Sequence, residues 1–237
     1  MHVPDGFLDA PTSVATGAVA VAGVGIALRK ARAELDDRTA PMAGLVAAFV
    51  FAGQMMNFPV GAGTSGHLLG GALAAVLVGP WTAALCISVV LLVQGLFMAD
   101  GGLTALGTNI TLMALVGVVV GYGVFRLAML VLPKRTASVP VAAAVGAFVS
   151  VPAAATVFTL LFALGGTADI ATGTVLTAML GWHTVIGVGE AAITALVVGA
   201  VVGSRPDLVH GARGVRAARP LLVTAEVDPQ VAPGVSR

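Results

Sequence analysis

An all-α, polytopic membrane protein is the fold class this sequence predicts, and three observations predict it. Of its 237 residues, 58% are hydrophobic and 10% are charged, whereas a water-soluble domain carries about 25% charged residues. The apolar residues fall in long uncharged runs, and mean hydropathy is +1.02. About 20 such residues cross a bilayer core as one helix. Finally, all twelve lysines and arginines fall on one side of a seven-span pattern. Thirty-one glycines suit helices whose backbones approach closely in lipid.

Taken in order, the apolar runs are 12–28, 41–57, 67–79, 82–98, 108–132, 139–165 and 174–203. The stretch 67–98 is too long for one span, and Gly79-Pro80 divides it, because proline ends or kinks a helix. The third span is then short, which is tolerated where protein rather than lipid surrounds it; six spans, with 67–98 as one helix, is the fallback. Lysine and arginine concentrate on the cytoplasmic side. With the N-terminus outside and the C-terminus inside, Arg29, Lys30, Arg32, Arg38, Arg126, Lys134, Arg135 and the five arginines from Arg205 onward all lie inside. Six spans would scatter them across both faces. The outer segments 1–11, 58–66, 99–107 and 166–173 hold Asp5, Asp9, Asp100 and Asp169 but no lysine or arginine. This is a multi-pass protein of the inner (plasma) membrane.

The chain divides into a membrane-embedded unit, 1–203, and a cytoplasmic tail, 204–237, whose prolines and weak apolar periodicity predict disorder. No basic region precedes the first run, so the start does not read as a cleaved signal peptide and Met1 is expected to stay in place. The single cysteine, Cys86, lies within an apolar run and excludes an intrachain disulfide or a cysteine-based zinc site.

The start reads Met1-His2-Val3-Pro4-Asp5-Gly6. A free α-amine, the amide nitrogen of residue 2 and the Nδ1 of a histidine at residue 2 close a five-membered and a six-membered chelate ring on one ion. A further imidazole completes a planar four-nitrogen site, a geometry that suits Ni(II) and Cu(II). Amine and imidazole must be deprotonated to bind, so affinity falls with pH. The imidazole on the same outer face is His67, in Gly61-Ala62-Gly63-Thr64-Ser65-Gly66-His67-Leu68-Leu69-Gly70-Gly71. Thr64 and Ser65 are placed to cap the third span or to hold the His67 ring in one tautomer. Asp100, in Asp100-Gly101-Gly102, supplies loop support. The residues alone leave plainer readings open: His2 as a residue beside the first methionine, and His67 as a structural hydrogen-bond donor.

Gln94, Asn109, His183 and Glu190 are polar positions within apolar runs and must face protein or water. His183 and Glu190 are seven residues apart and share one helix face. They mark either an internal metal or proton path or a helix-packing hydrogen bond, and the second is favoured. In the first span, Gly23, Ala27 and Ala31 form one ridge of small residues, and Ala18 and Ala22 another, for internal packing or a partner subunit.

The hexapeptide start, the Asn57-Phe58-Pro59 to Gly71 loop and Asp100-Gly101-Gly102-Leu103-Thr104-Ala105-Leu106-Gly107-Thr108-Asn109 resemble the CbiM/NikM family over about residues 1–203. Its members are the substrate-capture (S) components of energy-coupling factor (ECF) transporters for cobalt and nickel. The resemblance implies a seven-helix S component with an external N-terminus. It also implies Co2+ or Ni2+ held by the Met1 amine, the His2 amide and imidazole and the His67 imidazole, with Thr64, Ser65, Asp100 and Asn109 supporting. The implied partners are a transmembrane scaffold (T) subunit, two cytoplasmic ATPases and a small accessory membrane protein of the CbiN/NikN type. No accessory is expected within this chain, because nothing after Gly203 is apolar enough to span. Ala99 and Leu112 stand where the family pattern has glycine and asparagine.

No G-x-x-x-x-G-K-[ST] loop is present, so the chain is expected to bind no nucleotide and to rely on partners for ATP hydrolysis. A membrane metalloenzyme is disfavoured by the absence of H-E-x-x-H and H-x-x-E-H. The remaining alternative is a stand-alone secondary transporter using His183 and Glu190 as a proton relay.

Overall fold

The computed structural model describes residues 1–37, 39–61 and 64–217. Four helices come first: α1 (Ala10–Lys30), α2 (Ala40–Gln54), α3 (Gly71–Val78) and α4 (Pro80–Phe97). Next, α5 (Leu106–Asn109) and α6 (Gly117–Val131) are joined through a π-helical stretch, Ile110–Val116. The chain continues with α7 (Ser138–Gly165), α8 (Thr172–Ser204) and the short α9 (Arg213–Ala217).

Local sequence sets the helix starts. The Asp9 carboxylate accepts the Thr12 N–H at 2.9 Å and Pro11 lies in the first turn of α1, the usual N-terminal chemistry. Between α3 and α4 the chain turns at Gly79, with φ of +97°, and Pro80 opens α4. The first donors of α4 have no intrahelical acceptor. Glu34 supplies one: its carboxylate accepts Trp81 N (3.2 Å), Thr82 N (2.7 Å) and Thr82 Oγ1 (2.9 Å). One carboxylate thus fastens the α1–α2 turn to the α3–α4 turn, and 67–98 is not one helix.

Every residue of α3 is buried. Its eight residues rise only about 12 Å, and α4, α6, α7 and α8 pack around it. Small residues permit this: a Cβ added at Gly121 of α6 would lie 2.7 Å from the Ala72 Cβ. Five stretches are long and apolar enough to cross a membrane: Ala10–Ala33, Pro80–Phe97, Leu106–Val131, Ser138–Gly165 and Thr172–Ser204. The 15-residue α2 is apolar but shorter. Large apolar side chains such as Val14, Leu45, Leu130, Leu164 and Leu196 stand exposed around the bundle, as a lipid-facing surface requires. The predicted class of helical polytopic membrane protein therefore holds. Along α1 and the turn that follows it, Ala27 and Ala31 are buried and Gly23 abuts Leu115, whereas Ala18 and Ala22 face outward. The first small-residue ridge is internal packing.

Three sequence expectations need correction. The fold is not purely helical: β1 (Phe58–Gly61) and β2 (Thr64–Gly66) form an antiparallel hairpin pairing Phe58 with Gly66 and Pro59 with Ser65. Proline at 59 restricts Phe58 to extended backbone, which favours a strand over a plain turn. Thr64 and Ser65 do not cap α3, which starts at Gly71 with Gly70 as its N-cap; their side-chain contacts lie outside the described residues. Lastly, residues 205–217 are not a disordered tail. Val209 and Ala212 are fully buried, and a Cβ at Gly211 would sit 2.8 Å from the Phe125 Cζ. Burial of alternate small and branched residues docks this segment on α6. The rest of the tail, from 218, lies outside the described residues.

Candidate metal centre

The N-terminal segment 1–9 is a strap sewn into one end of the bundle. Val3 N donates to Asn109 Oδ1 at 2.8 Å, Asn109 Nδ2 returns a bond to Val3 O at 3.2 Å, and Gly102 N donates to Val3 O at 2.9 Å. Asp5 accepts Thr104 N at 2.7 Å and Thr104 Oγ1 at 2.6 Å. On the other side Phe7 packs against Phe158 and Phe162, and Asp9 N donates to Gly165 O at 2.7 Å. The close approach needs Gly102, where a Cβ would lie 2.7 Å from the Pro4 carbonyl carbon. These bonds drive Met1 and Val3 to full burial and leave His2 4% exposed.

Inside, the His2 and His67 rings lie 4.5 Å apart, centroid to centroid, tilted by 40°. His2 Nδ1 donates to Asp100 Oδ1 at 2.6 Å, and Asp100 Oδ2 accepts Asn57 Nδ2 at 2.8 Å. His67 Nδ1 donates to the Leu68 carbonyl at 2.7 Å, and His183 Nδ1 to the Met179 carbonyl at 2.8 Å. With Nδ1 as the donor, each Nε2 carries a lone pair. All three Nε2 atoms are buried without a hydrogen-bond partner, and such unsatisfied groups call for an explanation. Gln94 is fully buried and interacts with the His2 ring, yet neither of its amide atoms makes a hydrogen bond.

The Met1 amine interacts electrostatically with Asp100, Glu190, His67 and His183. Burial pushes its pKa well below the usual α-amine value, against the opposing pull of the Asp100 and Glu190 charges. Burial likewise lowers His2, although the Asp100 hydrogen bond works the other way. Burial opposes the Asp100 charge, but the His2 and Asn57 hydrogen bonds and the neighbouring charges keep its pKa below the usual carboxylate value. The end of the strap is therefore biased toward a neutral amine beside neutral imidazoles, which is the protonation state that metal coordination demands. Among the described residues no three His, Cys, Asp or Glu side chains form a metal cluster.

The turn carrying His67 is itself clamped. Glu190 of α8, 2% exposed, accepts Leu69 N at 2.7 Å and Gly70 N at 2.9 Å, while Gln54 Nε2 donates to Leu69 O at 2.8 Å. Glu190 and His183 share a face of α8, but no hydrogen bond joins them; each is committed elsewhere. Met1, His2, His67, Asp100 and Asn109 are brought together as a site. Gln54 and Asn57 escaped the sequence reading, although Gln54 stands out as an amide inside an apolar run. Ala99 has φ of +51°, a left-handed backbone that glycine adopts at less cost.

A helical membrane bundle with a buried N-terminus facing two imidazoles is the class that fold and site define. The family model described as "cobalt uptake substrate-specific transmembrane region" (CbiM) matches residues 2–208. The chain belongs to the CbiM family. A protein of Haloquadratum walsbyi provisionally named a metal transport protein is 40% identical over 213 residues, covering 88% of this chain and 93% of the relative. The fused nickel transport protein NikMN of Rhodobacter capsulatus is 44% identical over 127 residues, which are 54% of this chain and 37% of that one. A crystal structure described as a truncated transition metal transporter superposes with a TM-score of 0.75 at 33% identity, covering 86% of this chain and 99% of its own.

Proposed function

We propose that this chain is the substrate-binding S component of an ECF-type importer in the inner membrane, capturing Co2+ or Ni2+ at the outer face. The ion is held by four nitrogens: the Met1 amine, the His2 amide and imidazole, and the His67 imidazole. The observation that carries this reading is a fully buried N-terminal residue beside two imidazoles 4.5 Å apart, with the His67 Nε2 buried and unpartnered. Chelation through His2 Nδ1 requires that nitrogen to leave Asp100, which a half-turn about Cβ–Cγ accomplishes. Asp100, Asn57 and Asn109 hold the strap and ring in place; Glu190 and Gln54 hold the His67 turn.

In this reading the chain crosses the membrane seven times with the N-terminus outside, and residues 205–217 lie in the cytoplasm. A T subunit and two ATPases drive release inward. The relatives named as fused NikMN proteins support an accessory partner of the NikN/CbiN type. The product serves cobalamin synthesis or a nickel enzyme.

The test has two parts. Titration with Co(II), Ni(II), Cu(II) and Zn(II), followed by visible spectroscopy, is expected to give tight binding of Ni(II) or Co(II) with a planar nitrogen-ligand spectrum; no binding of either sinks the site. Cellular uptake is expected to require the ATPase subunits. Uptake that persists without them favours a secondary transporter using His183 and Glu190.

A further inference from the structure

We propose that a pocket at the end of the bundle opposite the nitrogen centre binds the phosphate of an anionic phospholipid headgroup. The pocket, of about 420 Å³, opens between α6 and the docked segment 205–217. Arg126, Lys134, Arg213 and His210 line it, over a floor that includes Phe125 and Met129. Tyr122 organises one wall: its ring lies 5.6 Å from Phe125 and 6.1 Å from His210, with the Arg126 guanidinium 6.0 Å away.

Among the described residues, none of Arg126, Lys134 and Arg213 forms an ion pair. Glu34 acts electrostatically on His210, with its carboxylate oxygens turned to Trp81 N and Thr82. Arg213 reaches only the Glu34 backbone carbonyl, at 3.5 Å. Three cations around an apolar floor call for an anion, and basic pockets between membrane helices recognise lipid headgroups in this way. The neighbouring surface selects a lipid over free phosphate. Leu127, Leu130 and Val131 are 62%, 80% and 86% exposed on the same helix, so acyl chains have an apolar wall directly beside the charges.

The full chain is reconstituted in phosphatidylcholine nanodiscs with and without phosphatidylglycerol, extracted gently, and examined by native mass spectrometry. One phosphatidylglycerol retained per chain is expected. Retention should fall about 100-fold in the triple variant Arg126→Gln, Lys134→Gln, Arg213→Gln, and about fivefold in Lys134→Gln alone. Lys134 is exposed, so the single variant remains informative if the triple one does not fold. Equal retention in wild type and Lys134→Gln, equal retention of phosphatidylcholine, or displacement by millimolar inorganic phosphate overturns the proposal. Displacement by an acidic peptide also overturns it, pointing instead to a protein partner.

Discussion

Replacing His67 by alanine is expected to lower affinity for Ni(II) or Co(II) by at least about 100-fold while leaving the helical bundle intact. Loss of an outer-shell partner of a metal site costs about 10- to 100-fold, and His67 is proposed as a direct ligand. Its Nδ1 bonds only to the carbonyl of the next residue, so no long-range hydrogen bond is broken, although the ring contact with His2 is lost. The ring is fully buried, and the variant therefore carries a cavity penalty, but one placed in a turn rather than between long helices. Competition titration gives the affinity, and circular dichroism checks the fold. Wild-type affinity in a folded His67→Ala protein would remove His67 from the ligand set.

Replacing Glu190 by alanine is expected to have the largest effect on stability, for a reason the structure makes explicit. Leu69 N and Gly70 N both end on its two carboxylate oxygens, deep in the protein. An unsatisfied buried donor costs about 1–3 kcal/mol, so two cost about 2–6 kcal/mol. These donors stand immediately after His67 and at the N-cap of α3, so affinity should fall together with stability. Glu190→Gln keeps one acceptor oxygen and is expected to lose about half as much. Thermal unfolding in detergent, paired with metal titration, measures both. A Glu190→Ala protein with unchanged melting temperature and affinity would show that the clamp carries no load.

The helices were legible because their cause is local. Long apolar runs bounded by basic residues, proline and glycine specify where each begins and ends, and the break at Gly79-Pro80 is written in two adjacent residues. The ligand candidates were legible as motifs, and the shared end of Met1, His2 and His67 followed from charge placement. What was not legible lies in contacts between distant parts of the chain. The bond from His2 to Asp100 spans 98 positions, and that from Leu69 to Glu190 spans 121. Spacing along one helix correctly put His183 and Glu190 on one face, yet it carries no information that Glu190 is engaged by a turn after β2. The docking of 205–217 was hidden for a similar reason. Val209, Gly211 and Ala212 are too few to form a periodic pattern, and only the complementary surface of α6 and α3 makes their burial favourable.

The central claim is that the Met1 amine is itself a ligand, and acetylating that amine tests it most directly. Acetylation turns the amine into an amide, supplies no new amine in its place, and pushes an acetyl group into a position where Met1 is fully buried. Overpacking alone costs about 1–3 kcal/mol. Ni(II) titration of the native and acetylated proteins should show at least about a 100-fold loss of affinity, about 2.7 kcal/mol, with the planar nitrogen-ligand spectrum gone. Equal affinity and an unchanged spectrum in the acetylated protein would contradict the account.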